Sequence, residues 1–322
     1  MQIEQGKTKL DFKDKLNKFQ AFLLDKIAKK CARGRFLRKK AFVKFLVRFL
    51  KIMPFSRWAY TVDSIARHLK LSMPEAEKLT SDSFESFITN AFEMSSLKYL
   101  THDELANKLQ VNGLNNLEAA LAQKKGAIIV SAHFGLWEFV PPWLTLKGFQ
   151  TTTVVRRQNN KHIDAWFEEM RQKHGGKTTD SGFGIREILR ALKKGEILAL
   201  MVDQDNGKAG IFVKFFDEWA SAPTGPAIIS MKTGAPVVPL ALYPDYENKH
   251  RLEIFEPIYP KSYTDDFAGQ QKFTQDYTKI IEDMIKQDPK LWFWVHKRWK
   301  TKPSDAPNNP WLIKSEMADE NI

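Results

Sequence analysis

The sequence predicts an α/β fold with a largely parallel central sheet flanked by helices. Two observations carry this. From residue 127 onward, short runs rich in Val, Ile and Leu alternate with amphipathic stretches of about ten residues, as strands joined by helical crossovers do. The run 127–130 is apolar at every position, which suits a strand covered on both faces. A chain of 322 residues, 43% hydrophobic and 27% charged, is long enough to bury a sizeable core around such a sheet. A third observation sets the N-terminus apart. Residues 1–60 hold 17 Lys or Arg and only four acids, while the whole chain carries a net +12, so the remainder is close to neutral.

Taken in order, residues 35–60 mix basic and apolar side chains at helical spacing. Lys44, Arg48 and Lys51 fall on one face; Phe42, Phe45, Leu46 and Phe49 form an opposing stripe, widened by Val43, Val47 and Leu50. A spanning helix needs about 20 largely uncharged residues, and basic groups interrupt any such run here. The expectation is an N-terminal helical membrane-associating segment, lying in the interface of an anionic membrane surface. Pro54 ends it, and Trp58 and Tyr60 are interfacial anchors. Nucleic acid is the competing polyanion, but a continuous apolar stripe differs from stacking platforms spaced along a basic groove. The first 15 residues carry four lysines and no apolar core, so no secretory signal is expected. The single cysteine, Cys31, excludes a disulfide framework.

Residues 61–108 read as helical, with a break at Asp82 and Ser83. A helix over 114–123 leads into the strand that ends before His133. Leu136 opens the next helix, and then come a strand near 151–155, a helix near 162–173 and a strand or turn at Thr178. A helix near 185–193 stops at Gly195. The strand 196–202 runs into a loop, 203–210, followed by a short strand at 211–216 and a helix near 224–232. Strands at 236–242 and 251–255 and a helix near 270–286 close the body. The chain thus divides into a basic amphipathic segment (1–60), an α/β domain with a helical lead-in (61–300) and a loose tail (301–322).

The most informative stretch is His133 with Glu138 five residues on. Five residues along one helix are roughly 140° apart and cannot pair. The two meet only if His133 ends a strand and Glu138 begins a helix, where ligands bind in α/β sheets. A histidine polarised by a carboxylate deprotonates an alcohol, and backbone N–H groups just after His133 are candidate oxyanion donors. Arg156 and Arg186 suit phosphate or carbonyl oxygens. Phe134, Trp137 and Phe139 flank the pair as candidates for an acyl slot. Asp203-Gln204-Asp205, at a strand end, offers a second chemistry, a divalent cation holding a nucleotide sugar. No nucleophile elbow, P-loop, dinucleotide fingerprint or zincin motif is present.

Several of these residues belong to an ordered series. It runs through His133-x-x-x-x-Glu138, Val155-Arg156 with Asn160, Arg186, Val202-Asp203-Gln204-Asp205 and Phe212-Val213-Lys214-Phe215-Phe216. Thr224-Gly225, the stretch Thr233 to Pro239, and Trp294-Val295-His296-Lys297-Arg298-Trp299-Lys300 complete it. Over roughly residues 40–300 the chain resembles the late acyltransferases of lipid A biosynthesis, within the lysophospholipid-acyltransferase-like group. The resemblance implies transfer of a fatty acyl group from acyl carrier protein to a hydroxyl on a hydroxyacyl chain of a lipid A precursor. The site would be the cytoplasmic face of the inner membrane. His133 would be the general base, Glu138 its orienting carboxylate, and Arg156, Asn160, Arg186 and Asp203 substrate-binding residues. The thioester supplies the activation, so no cofactor or metal is required and nucleic acid is not a partner. A metal-dependent glycosyltransferase using Asp203 and Asp205, a non-enzymatic lipid- or nucleic-acid-binding protein and an acyltransferase for another glycolipid or lysophospholipid stay open beside it.

Overall fold

The computed structural model describes residues 2–33, 40–180 and 185–312. Helices α1 (Gln2–Ala32) and α2 (Lys40–Ile52) precede α3 (Trp58–Leu69), α4 (Met73–Ser96) and α5 (His102–Asn107). The body then runs β1 (Leu109–Asn112), α6 (Leu114–Leu121), β2 (Ala127–Ser131), α7 (Val140–Leu146), β3 (Thr151–Val155), α8 (Lys161–Gln172), β4 (Lys177–Asp180) and α9 (Ile185–Lys193). It closes with β5 (Ile197–Met201), β6 (Ile211–Phe215), β7 (Glu218–Ala222), α10 (Gly225–Thr233), β8 (Val237–Tyr243), β9 (His250–Ile254) and α11 (Phe267–Gln287).

Seven strands form one sheet in the order β1-β9-β8-β2-β5-β3-β4. The five from β8 to β4 are mutually parallel; β9 pairs antiparallel with β8, and β1 runs with β9. Alternation along β2 separates two cores. Ile128 and Val130 pack with α3, α9, α10 and α11, while Ala127 and Ile129 face Leu117, Leu144 and Trp166. Being covered on both faces is why the strand reads as unbroken hydrophobicity. Strands β6 and β7 form a separate hairpin that packs on α11.

Several expectations are corrected. The helical lead-in breaks at 70–72, where Lys70 takes a left-handed conformation, and not at Asp82 and Ser83, which lie inside α4. Ser72 and Glu75 form a capping box that starts α4 there. Strands β1 and β7 were not anticipated, since each is four or five residues long and sits beside a stronger signal. The tail is seated as far as it is described. Thr301 bonds Asp205, Asn309 donates to the carbonyls of Lys208 and Gly210, and Trp311 donates to Gln270. Residues 313–322 lie outside the described residues.

The N-terminal helices dock on the body. Asp25 of α1 accepts hydrogen bonds from Tyr99 and Trp166 and pairs with Lys98. The apolar residues of α2 divide between two faces. Val43 and Val47 are buried, against α4, whereas Phe45 (63% exposed), Phe49 and Ile52 (72%) point outward beside Lys44 and Arg48. Leu16, Phe19, Phe22 and Leu23 of α1 are exposed as well. Among the described residues no helix is long and apolar enough to cross a membrane.

One glycine decides how the chain leaves β2. Gly135 has φ +59°, and a Cβ placed there would lie 1.9 Å from the carbonyl oxygen of Leu242. That oxygen already accepts the N–H of Leu136, so the backbones cannot separate without losing a bond. Gly135→Ala is expected to cost about 1–3 kcal/mol from backbone strain. A thermal melt of the purified variant should show an apparent Tm lower by several degrees; an unchanged Tm would refute this account.

Candidate functional site

Strand register assembles the centre of the site. Ser131 of β2 is paired with Met201 of the adjacent parallel strand β5. Two residues beyond each pair member stand His133 and Asp203, 70 positions apart in sequence but side by side at the C-terminal edge of the sheet. Nδ1 of His133 lies 2.8 Å from Oδ1 of Asp203, and the His133 backbone N–H donates to Oδ2 at 2.9 Å. The indole N–H of Trp292 donates to the same Oδ2 at 2.8 Å.

These contacts settle the ionisation of the pair. Burial by itself would push the Asp203 carboxyl up, but the charge of the His133 imidazole, its hydrogen bond and the Trp292 N–H hold it at about 2. Burial would likewise lower His133. The Asp203 charge, the hydrogen bond to it and, more weakly, the charge of Glu138 outweigh that and raise it above the usual histidine range. Because Nδ1 donates to Asp203, Nε2 is the free ring nitrogen, and among the described residues it has no hydrogen-bond partner. The His133 side chain is 25% exposed, so that nitrogen is open to a substrate hydroxyl.

The carboxylate on the imidazole is therefore Asp203, not Glu138. Glu138 lies in a short 3-10 turn, Trp137–Phe139, and forms a bidentate ion pair with Arg171 at the end of α8. Its two bonds are 3.0 Å from Nε and 2.6 Å from Nη2. It reaches His133 through its field alone. Arg171 gave no signal in the sequence, since a basic residue in the last turn of a helix is ordinary.

The other expected site residues are placed as follows. Asp203 is buried behind the imidazole and does not face a substrate. Its partners and those of Asp205 are internal: Asp205 accepts from Thr301 Oγ1 and from the backbone N–H groups of Gly207 and Thr301. The carboxylates that would chelate a cation are thus engaged within the chain, and among the described residues no group of three or more His, Cys, Asp or Glu is placed to hold a metal. Asn160 caps α8 by accepting from His162 and Ile163, and its amide donates to Asn17 and Gln20 of α1, so it fastens two helices. Phe134 and Phe139 are fully buried core, not slot walls. Trp137 is partly exposed and packs edge-on to His133 with centroids 5.3 Å apart. Arg156 follows β3 and Arg186 lies in the first turn of α9, both exposed on the edge that carries His133.

The backbone amides after His133 are also engaged. Phe134 N donates to Ala132 O, Gly135 N to Leu291 O, and Leu136 N to Leu242 O. The segment after α11 wraps the pair from the other side, with Phe293 N donating to the carbonyl of His133. Trp292, Trp294, Arg298 and Trp299 are buried there, as closure of the fold requires.

Residues 43–301 match the bacterial lipid A biosynthesis acyltransferase family. The lipid A biosynthesis palmitoleoyltransferase of Escherichia coli is 28% identical over 251 residues, covering 75% of this chain and 79% of that protein. The lipid A biosynthesis lauroyltransferase of the same organism is 26% identical over 258 residues, covering 76% and 80%. A phosphatidylinositol mannoside acyltransferase of Mycobacterium tuberculosis is 31% identical over 178 residues, covering 52% and 56%.

The electrostatics generate one test independent of any substrate. Titration of His133 by NMR should give a pKa above the ordinary value of about 6.5. Asp203→Asn removes the principal charge favouring the imidazolium, so its pKa should fall below that value. Glu138→Gln should lower it by less. An Asp203→Asn variant with the native pKa would show that the pair is not coupled.

Proposed function

The chain belongs to the bacterial lipid A biosynthesis acyltransferase family and is an acyltransferase, and on that premise we propose its substrates and its mechanism. It moves a fatty acyl group from acyl carrier protein to a hydroxyl on a hydroxyacyl chain of a lipid A precursor, at the cytoplasmic face of the inner membrane. The observation that carries this reading is the open Nε2 of His133, made basic from behind by buried Asp203. A phosphorylated glycolipid acceptor suits the two arginines, Arg156 and Arg186, exposed on the same sheet edge.

In this mechanism Nε2 of His133 takes the proton of the acceptor hydroxyl as its oxygen attacks the thioester carbonyl carbon. The carbonyl π pair moves to oxygen, then returns as the C–S bond breaks. The imidazolium gives its proton to the departing thiolate, leaving an ester and a thiol. Asp203 holds the ring in the required tautomer and stabilises the imidazolium. Glu138 adds to that stabilisation through space while fixing Arg171, which stacks on Phe167 with its guanidinium carbon 5.3 Å from the ring centroid. Trp137, together with Phe293 and Phe87, whose tilted rings lie 4.7 Å apart, supplies apolar surface near His133 for an acyl chain.

Membrane association enters through the N-terminal helices. Phe45, Phe49, Ile52 and Phe55 are exposed beside Lys44 and Arg48, which suits burial in the acyl boundary with cations on anionic head groups. The basic segment also favours approach of an acidic carrier protein. A second acceptor class, a mannosylated glycolipid, is favoured by the similarity to the mycobacterial enzyme.

Mass spectrometry of glycolipids from cells with and without the chain tests the reaction. The native chain should add the mass of one or two acyl groups to a lipid A precursor, and His133→Ala should abolish it, a loss of at least about 10²-fold for a general base. The increment on another glycolipid would reassign the acceptor; full acylation by His133→Ala would sink the mechanism. In a separate flotation assay with anionic phospholipid vesicles, Phe45→Asp with Ile52→Asp should release most of the bound protein. Retention equal to the native chain would remove α2 from the membrane contact.

A further inference from the structure

The tetrahedral intermediate of acyl transfer needs a hydrogen-bond donor at its oxyanion, and the main-chain N–H groups from His133 to Leu136 are all engaged. The N–H groups of His133, Phe134, Gly135 and Leu136 are donated to Asp203, Ala132, Leu291 and Leu242 respectively. Preorganised donors are usually the largest single contribution to acyl-transfer catalysis. A side chain with an uncommitted N–H next to the pair is the alternative source.

His296 has the required properties. The turn that carries it is bound to the catalytic strand end, because Phe293 N donates to His133 O at 3.1 Å and His296 N donates to Phe293 O at 3.3 Å. The ring is anchored on the neighbouring strand end, where the backbone N–H of Asp205, two residues past Asp203, donates to Nε2 of His296 at 3.0 Å. An Nε2 that accepts a hydrogen bond carries no proton, so a neutral ring has its hydrogen on Nδ1. Burial keeps the ring neutral by lowering its pKa, and His133, Asp203 and Asp205 all lie near enough for their charges to act on it. Among the described residues Nδ1 has no hydrogen-bond partner, and the atom is not sealed from solvent. The tautomer is thus set by a main-chain contact, and the remaining N–H is left for a ligand beside the dyad.

We propose that the Nδ1–H of His296 donates to the thioester carbonyl oxygen as it becomes an oxyanion, making His296 a catalytic residue. The assignment rests on the acyl-transfer reading. In the step it serves, the acceptor oxygen bonds to the carbonyl carbon, its proton passes to His133 Nε2, and the π pair comes to rest on the oxygen held by His296. Collapse restores the C=O bond, expels the thiolate, and returns the proton from His133 to sulfur. His296 keeps its own proton throughout, so a neutral donor suffices.

Two conservative substitutions separate this role from a structural one. The oxygen of Gln reaches the position of Nε2 and can still accept from Asp205 N–H, but the Nδ1 donor is gone. The amide of Asn places an N–H near Nδ1 and loses the anchor to Asp205. Initial rates are measured for the purified full chain in mixed micelles, with a dodecanoyl or hexadecenoyl thioester of acyl carrier protein and an underacylated lipid A precursor. His296→Gln should keep the native Tm and both KM values within about twofold, while kcat falls by about 10²–10³-fold. His296→Asn should recover roughly tenfold of that loss. The reverse order, an active Gln variant and an inactive Asn variant, would assign His296 to fold closure and overturn the proposal. A native chain that transfers from carrier-protein thioesters of no chain length between dodecanoyl and hexadecenoyl overturns the carrier-protein reading, and this assignment with it.

Discussion

The buried carboxylate of Asp203 is the interaction on which the rest of the site depends. It accepts three hydrogen bonds, from the backbone and ring of His133 and from the indole of Trp292. Those donors come from the end of β2 and from the segment that follows α11, so one side chain on β5 joins three parts of the chain. Removing one partner of a buried ion pair typically costs 3–5 kcal/mol, which makes this arrangement cooperative. The same bonds that keep Asp203 ionised in an apolar setting fix the imidazole tautomer and raise its basicity. Stability and chemistry share the contact.

Around this centre the chain separates functions by distance. Glu138 is held by Arg171 and acts on His133 through its field, which leaves Nδ1 to a single orienting carboxylate. Asp205 continues the β5 end outward and fixes both Thr301 and the ring of His296. Helix α1 is clamped by Asp25 to Tyr99, Trp166 and Lys98, which holds its exposed Phe19 and Phe22 at a defined place on the body.

Much of the fold was legible because its signals are local. The apolar run before His133, the Gly-terminated helices and the short crossovers report directly on β2, α9 and α10 and on a parallel sheet. The missed elements show where locality fails. Strands β1 and β7 are short edge pieces whose partners, β9 and β6, decide that they are strands at all. The α3–α4 break was misplaced because Asp and Ser in mid-helix resemble a turn, whereas the capping box at Ser72 and Glu75 marks the actual start.

For the site, sequence by itself determined that a histidine ends a buried strand, that carboxylates lie five and 70 residues beyond it, and that a basic amphipathic segment precedes the body. Spacing along a chain measures only near neighbours, so it favoured Glu138 as the partner of His133. The register of β2 against β5 brought Asp203 to the ring, and a helix three elements further on gave Glu138 to Arg171. Only tertiary structure could also turn Phe134 and Phe139 into core, make Asn160 a helix clamp and engage the amides after His133. Each of those outcomes depends on which surface or carbonyl lies opposite, and that is a property of packing, not of order along the chain.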